Sequence, residues 1–220
     1  MLPTGALFVA GGGDDLPVLA FCFVGVAAVA RRHDVLAGAA FGVAMAMKLT
    51  AWPLALLSLF VVRDAAGRRA AGRTAALMAA VVAVVVVPFA LWDPHTFVAN
   101  VIEFPLGLSG VDSPAASPLP GHVLSALVPG LHRVLLVGLV VVGGPLFCWW
   151  LWRRPPRDVP AVLRLTAVLA IVVMCVAPAT RVGYVVYPIN LLVWSWVLTP
   201  AGPARDDGDA TPAADHALAA

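Results

Sequence analysis

Val35 to Val62 reads VLAGAAFGVAMAMKLTAWPLALLSLFVV, 28 residues with a single charge, Lys48, near the midpoint. A basic cluster closes each end, Arg31 and Arg32 before it and Arg63, Arg68, Arg69 and Arg73 after it. Loops rich in Arg and Lys stay on the cytoplasmic side of a bilayer, so two such loops around one apolar stretch require the chain to enter and come back. The segment Met47-Lys48-Leu49-Thr50-Ala51-Trp52-Pro53 suits the turn, because Pro53 has no amide hydrogen and clashes with the preceding turn of a continuing helix. Each arm would be about 20 Å long against an apolar thickness of about 30 Å, which recesses Lys48 below the outer surface. The rival reading is a single tilted helix of roughly 42 Å, which would put the two basic clusters on opposite sides.

Composition agrees with a membrane setting. Hydrophobic residues make up 61% of the chain and charged residues 12%, against about 45–50% and about 25% in soluble domains. The net charge of +2 is no sign of a nucleic-acid partner, since the basic residues already serve as markers of inner loops. Cys22, Cys148 and Cys175 fall in apolar segments without metal-ligand spacing, so no metal and no cofactor is expected.

Outward from the hairpin, the alternation predicts an all-α, polytopic helical bundle of about seven membrane segments, counting the hairpin arms separately. Residues 1–15 form an outer N-terminal segment. A first span from Leu16 to Ala30 follows, with Asp14 or Asp15 as its cap. Arg63 to Arg73 is a cytoplasmic loop, and Thr74 to Trp92 returns the chain to the outside with a bend expected at Pro88. The outer loop 93–130 carries two short interfacial helices. One starts at the Asp93 cap and Pro94, with Val98, Val101 and Ile102 on its apolar face and Glu103 on the other; the second runs from His122 to Val128. His132 to Trp152 crosses inward to Arg153, Arg154 and Arg157, with Trp149, Trp150 and Trp152 at that boundary. Val159 to Pro178 and Tyr184 to Leu198 complete the transmembrane domain of residues 16–200. The tail 201–220, rich in Pro, Ala and Asp, is expected to be disordered in the cytoplasm.

This topology gathers the polar groups that orientation does not explain on the outer side. They include Asp14, Asp15, Lys48, Glu103, His122, Arg181 and Tyr184. Each also has a plainer reading. Asp14 and Asp15 suit a helix N-terminus, Glu103 and His122 suit wet faces of short helices, and Arg181, Tyr184 and Tyr187 at i, i+3 spacing suit an interface anchor, with Pro188 threatening the helix. The functional alternative is that Lys48 and Arg181 together hold an anionic phosphate, Arg supplying a fork of donors and Lys a point charge.

The segments Gly12 to Pro17 (GGDDLP), Gly42 to Pro53 (GVAMAMKLTAWP), Phe104 to Gly121 (FPLGLSGVDSPAASPLPG) and Arg181 to Trp194 (RVGYVVYPINLLVW) resemble the polyprenol-phosphate-sugar-dependent membrane glycosyltransferases of actinobacteria, glycosyltransferase family 87. The resemblance covers about Gly11 to Pro200 and implies the C-type glycosyltransferase fold. It implies transfer of a hexose such as mannose from a polyprenyl-phosphate carrier to a glycolipid or glycan acceptor, in the cell membrane and on the extracytoplasmic side. Lys48 and Arg181 would bind the lipid phosphate, with Asp14, Asp15, Glu103, His122 and Tyr184 as further outer-site residues. Such enzymes carry their catalytic carboxylate in the first outer loop of an N-terminal half. This chain is expected to be the C-terminal part, so that role is not transferred to Asp14 or Asp15, and a chain lacking the other half would be inactive alone. The competing function is a transporter or a flippase component, suggested by the hairpin and the Gly and Pro interruptions.

Overall fold

The computed structural model describes residues 15–104, 120, 123, 127–128, 130–176 and 182–199, and every regular element within them is helical. Helix α1 (Asp15–Ala30) buries Val18, Leu19, Cys22, Val26 and Val29, spaced three or four apart so that they fall on one face. A tight turn follows in which Arg32 takes a left-handed backbone (φ 59°) and the His33 amide donates to the Ala28 carbonyl at 2.8 Å. Helix α2 (Asp34–Met47) comes next, with Ala37, Phe41 and Ala44 fully buried.

Small residues set how closely α2 meets its neighbours. A Cβ on Gly42 would lie 2.7 Å from Val81 Cβ, and one on Gly25 would lie 2.8 Å from the Phe41 ring. Gly38 and Gly42 therefore form a G-x-x-x-G face against the later part of α3, the device by which membrane helices gain packing contact without a hydrophobic drive between them.

The chain leaves α2 at Lys48, passes through a 3-10 turn (Leu49–Ala51), and enters α3 (Trp52–Trp92). Gly67 divides α3 with φ 86° and ψ 172°, a conformation that costs a glycine little and other residues much. The course of the chain follows from three contacts. Thr74 Oγ1 donates to the Asp34 carbonyl at 3.4 Å, Gly38 faces Thr74 and Leu77, and Gly42 faces Met78 and Val81. Residues 68–92 thus run parallel to α2, so residues 52–66 must carry the chain back from the Lys48 end of α2 to its Asp34 end. The arginines on both sides of the hairpin share one end of the bundle, and Lys48 occupies the other.

The expected loop Arg63 to Arg73 is a correction. It is helical except at Gly67, because Asp64-Ala65-Ala66 and Arg68-Arg69-Ala70-Ala71 are built of residues that mostly favour helix. Pro88 lies inside α3, and the dihedral angles stay helical there.

Asp93 caps α4 (Pro94–Val98), accepting from the Thr96 amide at 3.0 Å, and a π-helical turn (Ala99–Glu103) extends it. Val98, Val101 and Ile102 are exposed. The expected second loop helix, His122 to Val128, falls largely outside the described residues.

Helix α5 (Leu131–Gly138), a π-helical stretch (Leu139–Gly143) and α6 (Gly144–Arg153) form one helical run. Pro145 cannot donate to a carbonyl in the preceding turn, which favours the wider winding just before it. Arg153 stacks on Trp149 at 4.7 Å. Helix α7 (Val159–Val176) buries Val162, Leu163 and Ala167 against the bundle. A 3-10 turn (Val182–Val185) leads into α8 (Val186–Val197), where Pro188 occupies the first turn, a position that tolerates it.

Leu49–Trp92 and Val159–Val176 are long and apolar enough to cross a membrane, with mean hydropathies of 2.6 and 2.5; the remaining apolar helices are shorter. Large apolar side chains point away from the bundle, among them Val84, Phe89, Leu91, Trp92, Trp152 and Trp196. A lipid surround accounts for such an exterior.

Candidate functional site

The polar centre of the bundle grows out of the hairpin turn. Helix α2 ends because Lys48 adopts an extended backbone (φ −157°, ψ 138°), while its amide still closes the helix on the Ala44 carbonyl at 3.1 Å. Trp52 Nε1 reaches back across the turn to the Met45 carbonyl at 3.0 Å, satisfying one of the carbonyls that a helix end leaves open. Pro53 sits in the first turn of α3.

The Lys48 ammonium meets the first residue of α1. Its Nζ donates to Asp15 Oδ1 at 2.5 Å, a contact 33 residues apart in sequence. The Tyr187 hydroxyl, 172 residues from Asp15, donates to the same oxygen at 2.8 Å. Tyr184 completes the arrangement, with the Lys48 ammonium 5.2 Å from its ring centre. Tyr184 lies within the 3-10 turn and Tyr187 in the first turn of α8, three residues apart, so that one meets Lys48 and the other Asp15.

The lysine side chain is 22% exposed and the Asp15 side chain 9%. An uncompensated ammonium within a membrane helix costs about 2.5–3.5 kcal/mol on insertion scales, and Asp15 offsets that cost directly. The tyrosine face adds attraction of about 0.5–2 kcal/mol. The result is a nearly neutral, partly covered charge pair with two phenols at its edge, open enough on the lysine side to meet a ligand.

Of the outer-site residues expected from sequence, the structure brings together Lys48, Asp15 and Tyr184. Tyr187, named there only for its spacing, is a direct partner of Asp15. Asp14, His122 and Arg181 lie outside the described residues, although Arg181 directly precedes the 3-10 turn in sequence. Glu103 ends the π-helical turn, and its carboxylate has no hydrogen bond or ion pair among the described residues. Asp93 serves as a helix cap. The Thr96 amide and hydroxyl, helped by His95, hold its carboxyl below the usual carboxylate range. No cluster able to hold a metal ion occurs among the described residues.

No curated protein and no solved structure matches this chain. The model of glycosyltransferase family 87 matches residues 5–178, a stretch that spans α1 to α7 and contains both Asp15 and Lys48. The charged pair thus sits inside the matched region, and the chain belongs to glycosyltransferase family 87, a family of membrane glycosyltransferases.

Proposed function

We propose that this chain serves in a membrane glycosyltransferase that moves a hexose such as mannose from a polyprenyl-phosphate carrier to a glycolipid or glycan acceptor at the extracytoplasmic face of the cell membrane. One observation carries the reading. The lysine of a family 87 chain is held by Asp15, which Tyr187 holds in turn, at the end of the bundle opposite the arginine clusters. Loops with excess arginine face the cytoplasm, which sets the Lys48 end outward. With the hairpin arms counted separately, the chain then makes seven membrane segments, entering from an external N-terminus and ending in the cytoplasm.

In the reaction, the acceptor hydroxyl gives its proton to a carboxylate acting as base, a role not assigned to Asp15, and its oxygen bonds to the anomeric carbon as the bond from that carbon to the phosphate oxygen breaks. The electron pair leaves with the lipid phosphate, whose negative charge rises. Lys48 and Arg181 are assigned to that phosphate, the role in which fixed positive charge lowers the barrier. Asp15 is the counter-ion that fixes Lys48, and Tyr187 fixes Asp15. Holding the ammonium in place beforehand avoids reorganisation at the moment of reaction.

Membranes in which this chain works within an active full-length enzyme, supplied with radiolabelled polyprenyl-phosphate hexose, test this. Label should pass to an acceptor, and Lys48→Ala should lower that transfer about 100- to 1,000-fold. Turnover near normal in the variant would remove Lys48 from the mechanism. Labelled carrier that crosses the bilayer without sugar transfer would mean a transporter instead.

A further inference from the structure

A second concave site lies at the opposite end of α2 from Lys48. It is a cavity of about 770 Å³ between the α1–α2 turn and the later part of α3, lined by Arg32, His33, Asp34, Val35, Leu36, Arg73 and Leu77 among others. With 14 residues of α2 between them, this cavity and the Lys48 centre are about 20 Å apart, so one ligand headgroup cannot occupy both.

Two kinds of surface meet in this cavity. Arg32 from the α1–α2 turn and Arg73 from α3 both line it, against the single acidic residue Asp34, with His33 beside them. Beside these charges the wall is apolar, and Val35 and Leu36 are 75% and 51% exposed. Paired guanidiniums match a phosphate diester, while the adjacent apolar wall matches acyl chains. A free phosphate would use the first feature and leave the second in water. Arginines that merely mark an inner loop need not line one cavity from a turn and a separate helix.

The geometry points to a binding site for one anionic phospholipid, its phosphate between Arg32 and Arg73 and its chains along Val35, Leu36 and Leu77. The occupant is a structural lipid of the leaflet at this end of the bundle, distinct from any lipid-linked sugar at Lys48.

Detergent-purified protein titrated with phosphatidylglycerol, with phosphatidylcholine of the same chains, and with glycerol 3-phosphate tests the assignment by native mass spectrometry. Phosphatidylglycerol should bind at least about tenfold better than either other probe, and the Arg32→Gln/Arg73→Gln variant should lose that preference. Unchanged preference in that variant would overturn the proposal, as would equal binding of glycerol 3-phosphate, which would indicate a free-phosphate site. Should the double variant fail to fold, Val35→Ser/Leu36→Ser provides a second reading. It should weaken phosphatidylglycerol while leaving both arginines in place, and undiminished binding would equally contradict the proposal.

Discussion

Lys48 and Asp15 join the turn after α2 to the first residue of α1, with Nζ and Oδ1 2.5 Å apart. The pair is covered on the Asp15 side, so its two members depend on each other. Lys48→Ala should destabilise the fold by about 3–5 kcal/mol, because it strands a buried carboxylate. Lys48→Met/Asp15→Leu should cost much less, since both charges leave together. Denaturant titration in detergent compares the two, and equal losses would show that the charges are not coupled.

Tyr187 is 5% exposed and donates to that same carboxylate oxygen. Tyr187→Phe keeps the ring and removes the hydroxyl, so the expected loss is about 1.5–3 kcal/mol, the range for a hydrogen bond to a charged group. If transfer activity is present, it should fall with the hydroxyl, because Asp15 loses one of its two side-chain partners among the described residues. A variant of unaltered stability would argue that the Tyr187 contact adds nothing.

Glycines at two positions of the hairpin region should respond in opposite directions. A side chain at Gly42 meets Val81 at 2.7 Å, so Gly42→Val should cost about 1–3 kcal/mol through overpacking. Gly72 is helical with open space around it, so Gly72→Ala should stabilise by about 0.5–1 kcal/mol. Thermal unfolding of both variants in one detergent reads the sign directly, and a stabilising Gly42→Val would contradict the close helix contact.

The Asp93 cap should make the start of α4 sensitive to acid. Its carboxyl is held low by the Thr96 hydrogen bonds, so the ionised form is the one favoured by the folded cap. The cap's contribution is present above the unfolded carboxylate value and is lost as pH falls through the lowered folded value. Once corrected for the intrinsic slowing of amide exchange in acid, exchange over residues 93–104 should therefore quicken relative to the unstructured chain as pH falls from neutral into the acid range. Asp93→Ala should show the faster exchange already at neutral pH, and a variant indistinguishable from the unaltered protein at neutral pH would deny the cap its role.

The turn at Lys48 was legible in the sequence because its signals are local. A lone charge, Trp52 and Pro53 fall together between apolar arms with arginines at their outer ends. The site built on that turn was only half legible. Asp15 and Tyr187 reach Lys48 and each other over 33 and 172 residues, and no periodicity encodes pairings so distant. Tyr184 and Tyr187 could be placed on one face from their spacing, but not beside the lysine. The helical course of residues 63–73 was missed because arginines were weighed as loop markers, while their own helix preference and that of the intervening alanines prevailed. Gly38 and Gly42 did carry a readable signal, the four-residue spacing of small residues, and it explains why α2 and α3 approach so closely.

The central claim is that the chain doubles back at Lys48, leaving the lysine turn on one side of the membrane and both arginine clusters on the other. Single cysteines at positions 31, 50 and 68, each in a background without Cys22, Cys148 and Cys175, can be probed with a membrane-impermeant thiol reagent on intact and on opened cells. The account predicts labelling of position 50 from outside and of positions 31 and 68 only after opening. Positions 31 and 68 labelling from opposite faces would contradict it.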